Sequence, residues 1–162
     1  MEEDNLLFSD YDGQFNVILP INEYDTILKY CAESKPYETG GILIGRYSDD
    51  CTTAIINEAT SPPNDSKHRL STFFRGTKSL MNKLDSAWQN GYYYLGEWHY
   101  HPNSSSEPSL TDRKQMVTLS TNKKLNCPEP ILLIIGESRK GWSVYIEVCC
   151  NKKSIKLNNQ QQ

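Results

Sequence analysis

Apolar positions recur along the chain with two periods, and the changes from one to the other mark its elements. Residues 14–20 (QFNVILP) alternate well enough to predict a strand. From Pro20 onward Ile21, Tyr24, Ile27, Leu28 and Cys31 fall at helical spacing, and the helix is expected to end at Lys35–Pro36, because proline disfavours helical geometry in the residue before it. In residues 37–47 (YETGGILIGRY) the pattern turns apolar on both faces, and Ile42–Leu43–Ile44 reads as a buried strand. The Asp49–Asp50 turn leads into a second strand, residues 52–59, making a hairpin. Residues 60–67 (TSPPNDSK) are a loop by composition, and 70–75 a short strand. Leu80, Leu84 and Trp88 give an amphipathic helix over 77–90, stopped at Gly91. Residues 92–101 form a strand, 109 to about 124 a helix with Ser109 as N-cap, and 131–137 with 142–150 a closing hairpin.

Helices alternate with strands, and several strands are joined by short turns. The expected fold class is α/β: a single-domain mixed β-sheet flanked by helices, over residues 1–150. Residues 151–162 end in NNQQQ and are expected to be a flexible polar tail.

Composition narrows the function. With 162 residues, 37% hydrophobic, the chain suits one domain of ordinary size. A formal net charge of −3 argues against a general binder of nucleic acid or of anionic membranes. The acidic start, MEEDNLLFSDYDG, has no secretory-signal pattern, and no apolar run approaches the ~20 residues that span a bilayer, so a cytoplasmic protein is expected. Five cysteines make no CxxC pair and read as small buried hydrophobes.

The candidate chemistry lies in residues 96–112, GEWHYHPNSSSEPSLTD. His99 and His101, two apart on a strand, face the same side, and Asp112 arrives from the next element. Two imidazoles and a carboxylate suit Zn²⁺, which in catalytic sites keeps three protein ligands and an open position for water. The same residues admit a plainer reading. Ser109-Leu-Thr-Asp112 has the form of a capping box, and two strand histidines can be hydrogen-bonded interior residues. From spacing alone both readings stand. Glu97 shares the histidines' face, as a second acid near the metal, or as a charge at the strand's edge or a partner to another side chain. Glu107 reads as a solvated loop charge, His68 as a surface residue, and Trp98 and Tyr100 as core.

The string His99-x-His101, seven residues, Ser109, two residues, Asp112 resembles the H-x-H-x7-S-x2-D signature of the JAMM (JAB1/MPN/Mov34) metalloproteases. Glu38, after a helix and before Thr-Gly-Gly-Ile-Leu-Ile-Gly, looks like the family's upstream glutamate. The resemblance implies a mixed sheet with helices, related to the cytidine-deaminase arrangement, although the deaminase signature itself is absent. It implies one catalytic Zn²⁺ on His99, His101 and Asp112, with Glu38 handling the proton of the attacking water and Ser109 stabilising the oxyanion. Family members cleave isopeptide or peptide bonds after the C-terminus of ubiquitin or ubiquitin-like proteins. The wording GEWHYHP is similar to the small bacterial branch, which includes deconjugating peptidases encoded beside E1- and E2-like proteins in CBASS anti-phage operons. There the implied substrate is a protein conjugated through the C-terminus of a cyclic-nucleotide synthase. The same branch includes peptidases for bacterial ubiquitin-like or sulfur-carrier proteins, and the family also holds non-catalytic scaffolds. Loops 61–69 and 122–130 fall where relatives build substrate grooves, and an extended substrate tail is expected beside the sheet edge at 38–44.

Overall fold

A computed structural model of the chain describes residues 4–68, 73–74 and 80–161, the side chains of 68, 73 and 74 excepted. In chain order the elements are β1 (Asn5–Ser9), β2 (Asn16–Pro20), α1 (Ile21–Ser34), β3 (Thr39–Tyr47), β4 (Thr53–Ala59), β5 (Lys67–His68), β6 (Phe73–Phe74), α2 (Leu80–Gln89), β7 (Tyr93–His101), α3 (Leu110–Ser120), β8 (Ile131–Ser138), β9 (Gly141–Cys150) and β10 (Lys153–Asn159). The strand expected at 70–75 falls largely outside the described residues, as does the first turn expected of α2.

The sheet is mixed, as its sequence pattern predicts, but it is not open. Eight strands close into a barrel in the order β1-β10-β9-β8-β7-β3-β4-β2, and β5 pairs with β6 separately. Two segments that the sequence reading passed over make the closure. Asn5–Ser9, read as part of an acidic N-terminus, pairs antiparallel with β2 and with β10. The supposed tail holds β10, which runs antiparallel to β9. The frayed-tail expectation is therefore corrected: Ile155 and Leu157 alternate in an otherwise polar run, and Leu157 is buried in the core. Two apolar residues are a weak periodic signal: Ile155 and Leu157 pair with Val148 and Ile146 of β9, while Asn158 and Asn159 pair with β1 at the other end of the chain.

An eight-stranded barrel is just wide enough for side chains to fill. One cluster draws residues from every barrel strand, among them Phe8, Val17, Leu43, Ile56, Leu133 and Leu157, so it is the inner face. Ile27 and Cys31 of α1 join it. A second cluster unites Ile42, Tyr94, Leu132 and Ile134 with Leu84 of α2 and Met116 of α3, so these two helices cover the outer face. The helix expected to run to about 124 stops at Ser120, where the backbone turns and the Asn122 side chain accepts the Lys124 N–H.

Two pairings bring distant residues together. β7 and β8 are parallel, as the two strands of a β-α-β unit must be, so α3 starts at the carboxyl end of β7. β3 runs antiparallel to β7 with Gly40 opposite His99 and Thr39 opposite Tyr100, which brings Glu38, the next residue back, level with His101. β3 is an interior strand from Leu43 to Tyr47, where β4 pairs with it. Beyond Ala59 the chain turns away, and Thr60 caps Ile42 through a backbone hydrogen bond and its hydroxyl.

Candidate metal centre

The phase of β7 decides which side chains reach the site. Tyr94 packs outward and Leu95 inward, yet Trp98 and Tyr100 are again inward. A bulge restores this phase: Leu43 pairs with Gly96 and Ile44 with Tyr94, which leaves Leu95 as the extra residue. Gly96 takes φ +152°, and a Cβ there would lie 1.9 Å from the Ile131 carbonyl oxygen. Past the bulge, Glu97, His99 and His101 all point outward, towards α3. The sequence reading put these three on one face but had no means of seeing the bulge.

From the other side comes the first turn of α3. Ser109 Oγ accepts the Asp112 N–H at 3.1 Å, and Asp112 Oδ2 accepts the Ser109 N–H at 2.7 Å. This is a complete capping box with aspartate in the returning position. The same carboxylate faces the histidines, with Oδ1 3.0 Å from His99 Nδ1 and Oδ2 3.6 Å from His101 Nε2. The capping and ligand readings do not exclude each other, because one side chain has the geometry for both.

Donor atoms of His99, His101 and Asp112 lie within 4.8 Å of one another. For Asp112 and His101 the directions of the pKa shifts also suit a cation, since bound carboxylate must be ionised and bound imidazole neutral. Burial alone would raise the Asp112 carboxyl, but the hydrogen bond and charge of His99, with the Ser109 hydrogen bonds, hold it well below the usual range. Burial lowers His101, and the pull of Asp112 does not fully reverse this. The donor set fits a divalent metal such as zinc.

Glu38 sits half-buried before β3. Burial, reinforced by the negative charge of Asp112 and opposed by His99, lifts its carboxyl to about 7. These mutual influences tie the upstream glutamate to the cluster. Ser109 Oγ also donates to Asp112 Oδ2 at 2.8 Å, so its hydroxyl must rotate before it can serve another acceptor.

Other expectations resolve individually. Glu97 is fully buried within the strand, not at its edge, and accepts the Tyr94 hydroxyl at 3.0 Å. Glu107 is exposed. The side chain of His68 is outside the described residues. Trp98 and Tyr100 are core. Of the cysteines, Cys31, Cys127 and Cys149 are buried, Cys150 is intermediate and Cys51 is exposed.

Sequence reasoning missed several residues that support the site. Gly136 faces the loop after His101, and a Cβ there would lie 2.4 Å from Ser106 N, 2.6 Å from Ser105 C and 2.7 Å from Ser104 O. Arg113, next to Asp112, donates to buried Glu147 on β9 at 3.2 Å and so pins the first turn of α3. An isolated glycine in an apolar strand was the available signal for the first. Nothing in the sequence pairs Arg113 with Glu147. A cleft of about 390 Å³ starts one residue pair along the sheet, lined by Ile42, Thr60, Pro62, Asp65, Leu80 and Lys83.

Comparison with known proteins agrees with this arrangement. Residues 21–147 match the family of prokaryotic homologs of the JAB domain. The chain is 38% identical over 137 residues to a CD-NTase/cGAS isopeptidase of Enterobacter hormaechei, covering 85% of this chain and 76% of that protein. It is 26% identical over 128 residues to the probable metalloprotease y4qB of Sinorhizobium fredii, covering 76% and 77%. Its fold is similar to the solution structure of protein DSY2949 from Desulfitobacterium hafniense, with a TM-score of 0.63, 18% identity and 86% of both chains covered. The chain therefore belongs to the JAB-domain (JAMM) family, in its prokaryotic branch. Among the described residues, no helix is long and apolar enough to cross a membrane.

Proposed function

We propose that this protein is a zinc-dependent isopeptidase that hydrolyses the bond after the C-terminus of a conjugated protein. The observation that carries the proposal is the convergence of His99, His101 and Asp112 beside Glu38, a carboxylate held near neutrality. The name of the Enterobacter relative, a CD-NTase/cGAS isopeptidase, supports a cyclic-nucleotide synthase as the conjugated protein, and hence a role in bacterial anti-phage defence.

His99, His101 and Asp112 would hold the ion, which when bound supplies Lewis acidity and a water more acidic than bulk water. Glu38 takes a proton from the attacking water as its oxygen adds to the carbonyl carbon. It then gives that proton to the amine nitrogen as the C–N bond breaks, leaving a carboxylic acid and a free lysine amine, which ionise to carboxylate and ammonium as the acid's proton passes to the amine. A base poised near the working pH does both halves of this transfer efficiently, and a cation beside Glu38 would draw its pKa down from the metal-free value. Ser109, its hydroxyl turned from Asp112, donates to the developing oxyanion. The buried flanks of Trp98 and Tyr100 fix the histidine strand, so these groups need little reorganisation. The substrate tail enters extended, past Thr39–Gly41, towards the cleft beside Ile42.

The test is cleavage of a cyclic-nucleotide synthase joined through its C-terminal carboxyl to a lysine ε-amine. Wild type is expected to cleave it, with activity lost on chelation and restored by zinc. Glu38→Gln should keep zinc but lose at least about 100-fold in kcat, as expected when an acid–base group is removed. Undiminished turnover by that variant overturns the role of Glu38. Cleavage that survives full chelation overturns the metal mechanism.

A further inference from the structure

Glu137, at the end of β8, joins the three segments that supply the site. Its backbone N–H donates to the Ser104 carbonyl at 2.9 Å, docking the loop between His101 and Ser109. Its Oε2 accepts the Tyr100 hydroxyl at 2.7 Å, and Tyr100 lies on β7 between the two histidines. Its Oε1 accepts from the Lys35 ammonium. Lys35 caps the C-terminus of α1 three residues before Glu38, and Glu38 follows a tight turn in which Tyr37 N–H reaches Ser34 O at 2.9 Å. The Lys35 ammonium also lies 4.9 Å from the centre of the Trp142 ring, and that ring packs against Tyr100 at 5.8 Å.

From this junction we infer that Glu137 is a positioning residue for Glu38, acting through Lys35. The inference rests on Glu38 being the proton carrier of the proposed reaction. Backbone register fixes Thr39 and everything after it, but Glu38 precedes the first β3–β7 pair. The Lys35–Glu137 ion pair ties the chain on the other side of Glu38 to the histidine strand. The Lys35 side chain is 43% exposed, so the pair contributes little to overall stability. Its effect is on geometry: a displacement of about 1 Å in a reacting group costs on the order of 100-fold in rate, so partial loosening costs less.

The experiment compares wild type, Glu137→Gln, Lys35→Met, their double variant and Lys35→Arg, all zinc-loaded full chains. Gln keeps an acceptor for Tyr100 and leaves the backbone contact to Ser104 in place, so the substitution isolates the link to Lys35. Each single variant is expected to lose about 5- to 10-fold in kcat on the conjugate described above. KM and the zinc Kd, measured by chelator competition, should stay within about twofold. The double variant should lose no more than either single one, and Lys35→Arg should recover most of the rate. Amide hydrogen exchange over residues 37–40 should quicken in both single variants, a readout that needs no turnover. Unchanged kcat and exchange in both singles, or losses that multiply in the double, would overturn the inference. If wild type cleaves nothing, the proposed function fails, and the exchange result alone decides whether Glu137 orders the Glu38 segment.

Discussion

Asp112 offers the sharpest test because the proposed site gives it two separable jobs, helix cap and metal ligand. Asp112 Oδ2 accepts from the Ser109 backbone and hydroxyl, at 2.7 and 2.8 Å, while both carboxylate oxygens face the histidines. Asp112→Ala removes the cap and the proposed ligand together. Losing charge-assisted hydrogen bonds at a largely buried position costs about 1–3 kcal/mol, or about 3–10 °C in melting temperature for a chain of this size. Asp112→Asn keeps a carbonyl oxygen for the Ser109 N–H and should cost less than about 1 kcal/mol in metal-free protein. The two variants should nevertheless lose zinc equally. Removing partners one step further from a metal already costs 10- to 100-fold in affinity, so losing a ligand should cost at least about 100-fold. The assay pairs thermal melts in chelator with zinc titration against a competing chelator. The expected signature is an Asn variant with nearly wild-type stability and no tight zinc binding. If Asp112→Asn binds zinc as wild type does, Asp112 is a helix cap and the metal site as drawn is refuted.

Gly136→Ala would put a methyl against backbone atoms of residues 104–106 at 2.4–2.7 Å, so that loop must move by close to an ångström. The variant should be about 1–3 kcal/mol less stable by urea denaturation and lose about 10- to 100-fold in kcat; a rate within twofold of wild type would show that the loop's docking is immaterial. Deleting residues 151–162 removes β10, exposing the facing edges of β1 and β9 and uncovering the pocket filled by Leu157. A loss of at least about 3 kcal/mol is expected, and a truncated protein melting within about 2 °C of the full chain would mean that β10 is dispensable to the barrel.

The sequence by itself determined the elements whose signals are local. The α1 and α2 periodicities, the β3–β4 hairpin, the β7 strand with its paired histidines, and the Ser109–Asp112 box that opens α3 all come from spacing within a few residues. Resemblance to a family, which preserves order along the chain, also singled out Glu38, His99, His101, Ser109 and Asp112. Only the tertiary structure decided the rest. Closure of the sheet depends on β1 meeting β10 across the length of the chain, a pairing that neither segment's short apolar pattern specifies. The bulge at Gly96 exists only because β3 and β7 lie side by side, and it resets which face carries the histidines. That same antiparallel register brings Glu38 level with His101, and Glu137 gains its contacts from Lys35, Tyr100 and Ser104, all far from it in sequence. Periodicity records which face of an element is buried; it carries no information about which distant element does the burying.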